Sequence, residues 1–411
     1  MSTSPTKTVT PSGLSALPRV IWLLGAVSLL TDTASDLVYP LIPELLRVAG
    51  GGPLALGALE GIAELVSSVV KVGAGRLSDR SRRPGRWVVA GYGLAAISRP
   101  LLGWVTAPWQ AMLIRTLDRA GKGLRSAPRD AILAASAGSQ RGLAFGVHRA
   151  LDNLGAVCGA TLAFLLLRVA HWSVTHVVTF ALLPGLLSTL LCWIGVGRRG
   201  RDEVPEKKVD PSRSSTPSAP LPRSVRALLG ATFVFALAGA ADSFLLARLH
   251  DLGLAIEWLP LAWLSLQLAK VLLNVPGGAL ADRLGPRVVL IAAWAVYAIA
   301  YVLFAIAPTW PVLWALLPFY ALHYGLGEGA EKSLMSSLAP QSSRGFAFGM
   351  QNAVHGLALL PANLVFGLLY AHRPSLAFGG AAAIATFATI VLLAAPLRPT
   401  ALASSGATSA A

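Results

Sequence analysis

Long apolar stretches alternate with short polar segments along almost the whole chain. Three clear examples read RALLGATFVFALAG from Arg226, VVLIAAWAVYAIAYVLFAIA from Val288 and AAAIATFATIVLLAAPL from Ala381. Each approaches or reaches the roughly 20 apolar residues that a helix needs to cross a bilayer. Backbone polar groups find no partner in lipid, so apolar spans of this length must be helices. The pattern predicts twelve spans, at roughly 19–46, 54–78, 87–106, 109–136, 143–167, 175–196, 225–248, 257–280, 287–306, 310–337, 346–370 and 376–396.

The composition supports a polytopic membrane protein. Hydrophobic residues make up 55% of the 411 positions and charged residues only 13%, with a mean hydropathy of +0.63. A soluble domain carries about a quarter charged residues. The two cysteines, Cys158 and Cys192, both lie in predicted spans and imply neither a disulfide framework nor a metal site. We therefore expect an all-α membrane protein without cofactor or metal.

The net charge of +15 is distributed unevenly between the loops. About 20 of the 34 Lys and Arg residues fall in the tails and one alternating set of loops, and about four fall in the opposite set. Cytoplasmic loops carry such an excess of cations. The asymmetry predicts cytoplasmic termini in a bacterial-type inner membrane, and it gives the basic charge a topological role rather than a nucleic-acid partner.

The two halves of the chain repeat each other. RGLAFGVHRALDNLG from Arg141 aligns with RGFAFGMQNAVHGLA from Arg344, and GRLSDR ending at Arg80 aligns with GALADR ending at Arg283, both at an offset of 203 positions. Six spans per half give both halves the same membrane orientation. The predicted organisation is a cytoplasmic tail at 1–18, a six-helix bundle at 19–196, a cytoplasmic linker rich in charge, Pro and Ser at 197–224, a second bundle at 225–396 and a tail at 397–411.

These features resemble the major facilitator superfamily over essentially the whole chain. DLVYPLIPELL in the first span is similar to the P-x-x-P stretch of its drug–proton antiporter branch, and GAVCGA from Gly155 partly matches that branch's fifth-span motif. Close helix packing through small residues is the competing interpretation of GAVCGA. The wider motif set resembles a bacterial subgroup without a well-defined substrate. The resemblance implies a fold of twelve helices in two parallel repeats, a monomer, and transport rather than enzymatic activity.

The loop after the second span resembles the superfamily's gating motif, in which a carboxylate and a cation latch spans together at the cytoplasmic face. In the first half, Arg82 replaces a glycine of the pattern; the second copy matches better and extends through Gly285 and Arg287. The alternative is that these arginines only fix the topology. The residues carried over from the motif are Gly75, Asp79, Arg80, Gly278, Asp282 and Arg283.

The predicted fourth span contains the stretch DRAGKGLRSAPRD between apolar flanks. At about 100° per residue, its charged residues share an arc of roughly 140°. Each would cost a few kcal/mol if it faced lipid, so the ribbon is predicted to face a water-filled cavity or partner carboxylates. Arg119 and Gly123 also match the superfamily's R-x-x-Q-G pattern, with Lys122 in place of Gln. The alternative is an ion network that only holds helices together. The ribbon consists of Arg115, Asp118, Arg119, Lys122, Arg125, Arg129 and Asp130.

Other spans supply candidate partners and substrate or proton-coupling groups. Several share a helix face at a spacing of three or four residues. Carboxylates buried without a partner are candidate proton carriers, and Asp36, Glu60, Glu64 and Asp130 rank first. At the repeat offset Glu328 takes the place of Arg125, which predicts a cavity with one cationic and one anionic wall. The remaining candidates are Asp32, Lys71, Arg149, Asp152, Asp242 and Glu331, with Lys270 and Lys332 as further charges.

The combined pattern predicts a secondary active transporter that binds a small anionic or polar organic solute between the halves. The antiporter-like motifs favour proton-coupled efflux. Uptake of an anionic metabolite by proton symport is the first alternative: it predicts loss of binding in Arg119→Ala, whereas efflux of a cationic drug predicts loss when Asp36 or Glu64 is neutralised. A receptor or lipid translocase is the second, and it requires an apolar lateral opening between the fifth and eighth spans. The expected partners are the solute, protons and membrane lipid.

Overall fold

The computed structural model describes residues 17–81, 83–137, 140–197, 221–340 and 343–397. Most of the predicted tails and of the predicted linker lies outside these ranges. The side chains of Arg76, Asp79, Arg80, Arg141 and Gly142 also lie outside the description. The described part of the chain is helical with short connections and contains no strand.

Twelve helical segments follow the twelve predicted spans. The first six are α1 (Arg19–Val48), α2 (Pro53–Arg80), α3 (Pro84–Ser98, continued by a 3-10 helix at Arg99–Trp104), α4 (Pro108–Ser136), α5 (Arg141–Phe164, continued by a π-helical turn at Leu165–Val169) and α6 (Val174–Gly197). The second six are α7 (Arg223–Asp251), α8 (Ile256–Leu284), α9 (Pro286–Ile306), α10 (Trp310–Leu338), α11 (Arg344–His372) and α12 (Pro374–Ala394).

Among the described segments, nine are long and apolar enough to cross a membrane by length and composition alone. The other three are α3, α4 and α10. The α-helical part of α3 is only 15 residues long, and α4 carries the charged stretch found in the sequence. For α4, contacts with neighbouring helices must compensate for the charged stretch.

The two halves have the same internal arrangement. In the first half, α2 and α3 pack on α4, α1 packs on α5 and α6, and α3 packs on α6. In the second half, α8 and α9 pack on α10, α7 packs on α11 and α12, and α9 packs on α12. Each pairing recurs six segments later, as the sequence repeat predicts.

Several segments that the sequence predicts as continuous helices are interrupted, including α6 at Ala181, α1 and α7. In α1, a 3-10 turn at Tyr39–Leu41 interrupts the α-helix at Pro40. Proline lacks the N–H that an α-helical hydrogen bond needs, and it fits the start of such a turn. In α7, the helix stops at Ala238 and resumes at Ser243. Side chains bond the backbone groups freed at the break in α7: Tyr297 Oη donates to the Ala238 carbonyl at 2.7 Å, and the Ala241 N–H donates to Asn363 Oδ1 at 2.9 Å. This break therefore depends on neighbouring helices.

The halves meet along a seam of small residues between α2 and α11. A Cβ on Gly57 would collide with the backbone of Asn363, and one on Gly61 would touch the backbone of Leu360. Nearer the other end of the seam, Gly356 faces the Ser68 side chain. Only glycine permits such close approach, so these positions allow the two backbones to touch.

The two ends of the bundle differ. We call the end where α6 finishes and α7 begins the linker end, and the opposite end the closed end. At the closed end, Leu41, Leu46 and Leu249 are at most 1% exposed, and His250 of α7 lies 3.8 Å from Glu44 of α1. Towards the linker end, the side chains of Arg149 and Glu328 are 62% and 43% exposed. The bundle is thus sealed at one end and open at the other.

Candidate functional site

A cavity of about 560 Å³ lies between the two halves. It is walled by α1, α2, α4 and α5 on one side and by α7, α8, α10 and α11 on the other. Its volume falls within the range of pockets that hold small organic ligands. Nine of the predicted site residues line it: Asp32, Asp36, Glu60, Glu64, Arg119, Lys122, Arg149, Asp152 and Asp242.

A second cavity of about 470 Å³ adjoins the first. Both are lined by Arg149, Gln267, Lys270 and Tyr324, so the two form one continuous space, and the second part contains Glu328, which is 43% exposed. The predicted residue Glu331 also lines this part, where it accepts hydrogen bonds from Gln351 at 2.7 Å and contacts His355 at 3.0 Å. The continuous space leads from the centre of the bundle towards the linker end.

The acidic wall of the central cavity is formed by α1 and α5. Asp32 and Asp36 lie one turn apart on α1, and Asp152 approaches from α5. Trp263 Nε1 of α8 donates to Asp36 Oδ1 at 2.6 Å, which joins the two halves inside the cavity. Asp152 lies 3.4 Å from His148 Nδ1. In the part of the chain that the structure describes, none of these three carboxylates forms an ion pair with Lys or Arg.

Helix α4 contributes two positive charges to the lining of the cavity. Arg119 and Lys122 line the cavity, and neither forms an ion pair or a side-chain hydrogen bond with the described residues. The Arg119 Nε atom is buried and has no hydrogen-bond partner there. Glu64 of α2 lines the same wall. A guanidinium with free N–H groups can bind a carboxylate or phosphate in a bidentate manner.

Only Arg119 and Lys122 of the charged ribbon line the cavity, and its other members lie elsewhere, some of them against the partner carboxylates that were the alternative to a cavity. Arg115 and Asp118 are 2% and 3% exposed and point between helices, and Arg125 is 5% exposed with its guanidinium 4.5 Å from the Tyr92 ring. Arg129 pairs with the neighbouring Asp130 at 2.9 Å. An arc of 140° is wide enough to reach both a helix interface and the cavity.

Arg115 and Asp118 belong to a buried ion network across four helices. Asp118 accepts from Arg99 Nη2 of the α3 segment at 2.7 Å and from Arg115 Nη1 at 3.2 Å. Arg115 Nη2 donates to Glu60 of α2 at 3.3 Å, and Arg99 Nη1 donates to the Thr31 carbonyl of α1 at 3.2 Å. For these residues the alternative interpretation, an ion network that holds helices together, describes the geometry. Two positive and two negative charges balance.

Two further predicted positions also lie elsewhere than expected. Lys71 is exposed and does not line either part of the cavity. The alignment of Glu328 with Arg125 predicted cavity walls of opposite sign, but Arg125 is buried against α3, and Glu328 lies 2.8 Å from Lys332 and 3.9 Å from Arg149. The sequence repeat aligns the two positions without giving them equivalent surroundings.

The C-terminal wall centres on Asp242 at the break in α7. Lys270 Nζ lies 2.8 Å from Asp242 Oδ2, and the hydroxyls of Tyr320 and Tyr324 both donate to Asp242 Oδ1 at 3.1 Å. The Lys270 ammonium also sits 3.8 Å from the centroid of the Tyr324 ring, a cation–π distance. This half therefore compensates its own charges, unlike the N-terminal half.

Comparison with known proteins identifies the family. The model of the Major Facilitator Superfamily matches residues 24–266 and 228–410. The chain belongs to the major facilitator superfamily. An uncharacterized MFS-type transporter from Methanocaldococcus jannaschii is 28% identical over 383 residues, which cover 92% of this chain and 95% of that protein.

Solved structures of the superfamily share the fold. A bacterial homolog of the human lysosomal transporter Spinster, inward-facing and occupied, superimposes with a TM-score of 0.75 at 14% identity over 92% of this chain and 96% of its own. A D-xylose–proton symporter gives a TM-score of 0.72 at 14% identity over 93% and 99%. The prediction of twelve helices in two six-helix repeats is confirmed.

The superfamily's gating motif is described only for its second copy. Asp282 and Arg283 are exposed, and Asp282 has no bond to the described residues. Gly285 adopts a φ of 88°, which favours glycine and makes the sharp entry into α9. Arg287 Nη2 donates to the carbonyls of Leu392, Leu393 and Ala395, at 3.2, 2.8 and 2.9 Å, so it caps α12. The latch role of Gly75, Asp79, Arg80, Gly278, Asp282 and Arg283 stays a prediction.

The sequence interpretation missed several residues that shape the cavity of this superfamily member. Trp263, Tyr320 and Tyr324 read as ordinary apolar-span aromatics, and their polar atoms reveal a role only once Asp36 and Asp242 are beside them. Arg99 was also missed, although an arginine inside a predicted span is a signal by itself. Among the described residues, no group of three or more His, Cys, Asp or Glu side chains could hold a metal ion.

Proposed function

We propose that this major facilitator superfamily member is a proton-coupled secondary active transporter of a small polar organic solute, which it exposes alternately to the two sides of the membrane. The observation that carries the proposal is the central cavity with carboxylates that have no Lys or Arg partner among the described residues. Ionised groups are costly inside a membrane, so such groups mark solute and proton pathways.

The coupling groups in this proposal are the cavity carboxylates without a Lys or Arg partner among the described residues: Asp32, Asp36, Glu64 and Asp152. Glu60 ranked equally from the sequence, but its contact with Arg115 makes it a structural group here. Asp130 pairs with Arg129 away from the cavity. Protonation of an unpaired carboxylate removes a charge from the cavity, and that change supplies the link between proton and solute movement.

The solute-binding groups in this proposal are Arg119 and Lys122, with the aromatic and amide side chains of the opposite wall. Arg119 offers the bidentate donors that bind carboxylate or phosphate. The positive-inside bias favours a cytoplasmic linker end, and the cavity then opens towards the cytoplasm. The proposed setting is a bacterial-type inner membrane, with a monomer as the working unit.

Efflux by proton antiport is the proposed direction, from the P-x-x-P stretch of α1. GAVCGA adds nothing to this, since Gly155 and Gly159 serve the close packing of α5 on the Leu29 and Thr33 backbone. Uptake by symport is the alternative, and a D-xylose–proton symporter shares the fold. A lipid translocase is less well supported, because α5 and α8 line the cavity with Arg149, Asn153 and Gln267.

Flux in reconstituted liposomes tests the proposal. Solutes that raise the melting temperature of the purified protein are loaded inside vesicles, and a pH gradient of either sign is imposed. We expect solute to leave the vesicles faster when the outside is acidic, because protons can then enter in exchange. Movement in the same direction as protons supports symport, and movement independent of the pH gradient refutes proton coupling. We expect Asp32→Asn to abolish the dependence of solute flux on the pH gradient. Asp130→Asn, the same change at a carboxylate away from the cavity, is the matched control and should keep that dependence.

A further inference from the structure

The charges that line the central cavity are separated by sign. The wall of α1 and α5 presents Asp32, Asp36 and Asp152, three carboxylates without a Lys or Arg partner in the described chain. Arg149 also belongs to α5, but its guanidinium reaches towards Glu328, 3.9 Å away, at the open side. This wall therefore presents three carboxylates whose negative charge, when they are ionised, is not offset by a Lys or Arg partner in the described chain.

The wall of α2 and α4 has the opposite sign. Arg119 and Lys122 together outweigh Glu64, because Glu60 is already engaged by Arg115. The Arg119 Nε atom is buried and lacks a hydrogen-bond partner in the described chain, and an unsatisfied buried donor is costly. This wall is thus left with one positive charge and with free guanidinium donors.

The third wall, formed by the C-terminal half, adds no net charge. Asp242 and Lys270 compensate each other at 2.8 Å. The wall offers instead the Trp263 and Tyr324 rings beside the amides of Gln267 and Asn363. Aromatic faces attract organic cations and pack against apolar skeletons.

A ligand that binds the acidic and the basic wall at the same time must carry both a positive and a negative charge. We propose that the cavity selects dipolar solutes: small organic molecules that bear an ammonium-type cation and a carboxylate or phosphate on one skeleton. The cation lies against Asp32, Asp36 and Asp152, and the anion binds Arg119 and Lys122. This inference rests on the proposed transport function and narrows its substrate class. A solute with only an anionic group leaves the three carboxylates uncompensated, and one with only a cation leaves Arg119 unsatisfied.

Matched triads of ligands test the proposal on the purified full-length protein. Each triad contains a dipolar molecule and its two single-charge analogues: L-phenylalanine with 3-phenylpropanoate and 2-phenylethylamine, 4-aminobutanoate with butanoate and butylamine, and phosphocholine with phosphate and choline. Melting temperature and calorimetric affinity are measured for each. We expect the dipolar member of at least one triad to bind about tenfold tighter, or more, than both of its analogues.

Two outcomes overturn the proposal. One is a single-charge analogue that binds as tightly as its dipolar counterpart in every triad that binds at all. The other is the absence of binding by all three dipolar molecules at about 10 mM, a concentration above the millimolar affinities of weak transport substrates.

Two variants, each of which removes one charge from the cavity, test which wall binds which charge of the ligand. Asp32→Asn removes one acidic group, and we expect it to weaken the dipolar ligand about tenfold or more while leaving its carboxylate-only or phosphate-only analogue unaffected. Arg119→Gln should weaken the dipolar ligand and spare the amine-only analogue. Glu257→Gln, a carboxylate change outside the cavity, is the control for folding and expression. Equal losses for dipolar and single-charge ligands in both variants contradict the assignment.

The same proteoliposomes separate this inference from the transport function. If a single-charge solute is transported with the pH gradient and dipolar solutes are not, the transport function stands and the dipolar class is wrong. If a dipolar solute binds with the expected selectivity but does not cross the membrane, the binding class stands and the transport function is wrong.

Discussion

Asp118 is the shared acceptor of a buried ion network, and its removal gives a sharp test of the fold. Asp118 lies 2.7 Å from Arg99 and 3.2 Å from Arg115, and all three residues are at most 3% exposed. Asp118→Asn keeps the side-chain shape but changes the balance of the network from neutral to one positive charge, because only Glu60 remains. Removing one partner of a buried ion pair costs about 3–5 kcal/mol.

The expected shift of the melting temperature follows from the size of the chain. At about 2.1 cal/mol/K per residue, 411 residues give an unfolding entropy of about 0.9 kcal/mol/K, so the loss corresponds to a decrease of about 3–6 °C. Differential scanning fluorimetry of the purified protein in detergent measures it directly.

A matched control lies on the same helix. Asp130→Asn makes the same chemical change in a pair whose carboxylate side chain is 42% exposed, and exposed pairs contribute less than about 1 kcal/mol. Equal decreases in melting temperature for the two substitutions would refute the role of Asp118 as the shared acceptor of the buried ion network. The double variant Arg99→Met with Asp118→Asn should recover part of the loss, since it removes the unpaired cation as well.

Three further predictions concern helix ends and helix contacts. Arg287→Gln removes the guanidinium that caps α12, so thermal unfolding should show a loss of about 1–2 kcal/mol, and an unchanged midpoint would exclude the capping role. Tyr297→Phe leaves the buried Ala238 carbonyl unpaired and should lower stability by about 1–3 kcal/mol; a neutral effect in the same assay would mean that water replaces the hydroxyl. Gly57→Leu places a side chain against the Asn363 backbone and should widen the closed end, measured as longer distances between spin labels on the two halves; unchanged distances would contradict the close contact.

Much of the fold could be predicted from hydrophobicity because lipid imposes helices on long apolar segments. The segments α4 and α10 begin and end within one residue of the predicted limits. The break in α7 could not be predicted: the stretch from Gly239 to Asp242 is more polar than its flanks, but the equally polar stretch from Asp32 to Asp36 in α1 stays helical. The break depends on a tyrosine from α9 and an asparagine from α11 that bond the freed backbone groups.

The sequence could predict which residues are candidates for the site, but not which side chains each of them contacts. Helical spacing places Arg115 and Arg119 on one face, yet one is buried in an ion network and the other lines the cavity. Helix tilt and the positions of neighbouring side chains decide between the two, and neither is encoded in periodicity. The contact of Asp36 with Trp263 joins positions 227 residues apart, which no local pattern reports.

The seam between α2 and α11 has a consequence for movement. Backbones touch at Gly57 near one end, and Gly356 meets Ser68 further along. Because Gly57 lies near the closed end, α2 and α11 have to separate at this contact before the cavity can open to that side. Larger side chains along the seam would hold the two backbones apart and prevent that end from closing again, a constraint that does not apply to the residues lining the cavity.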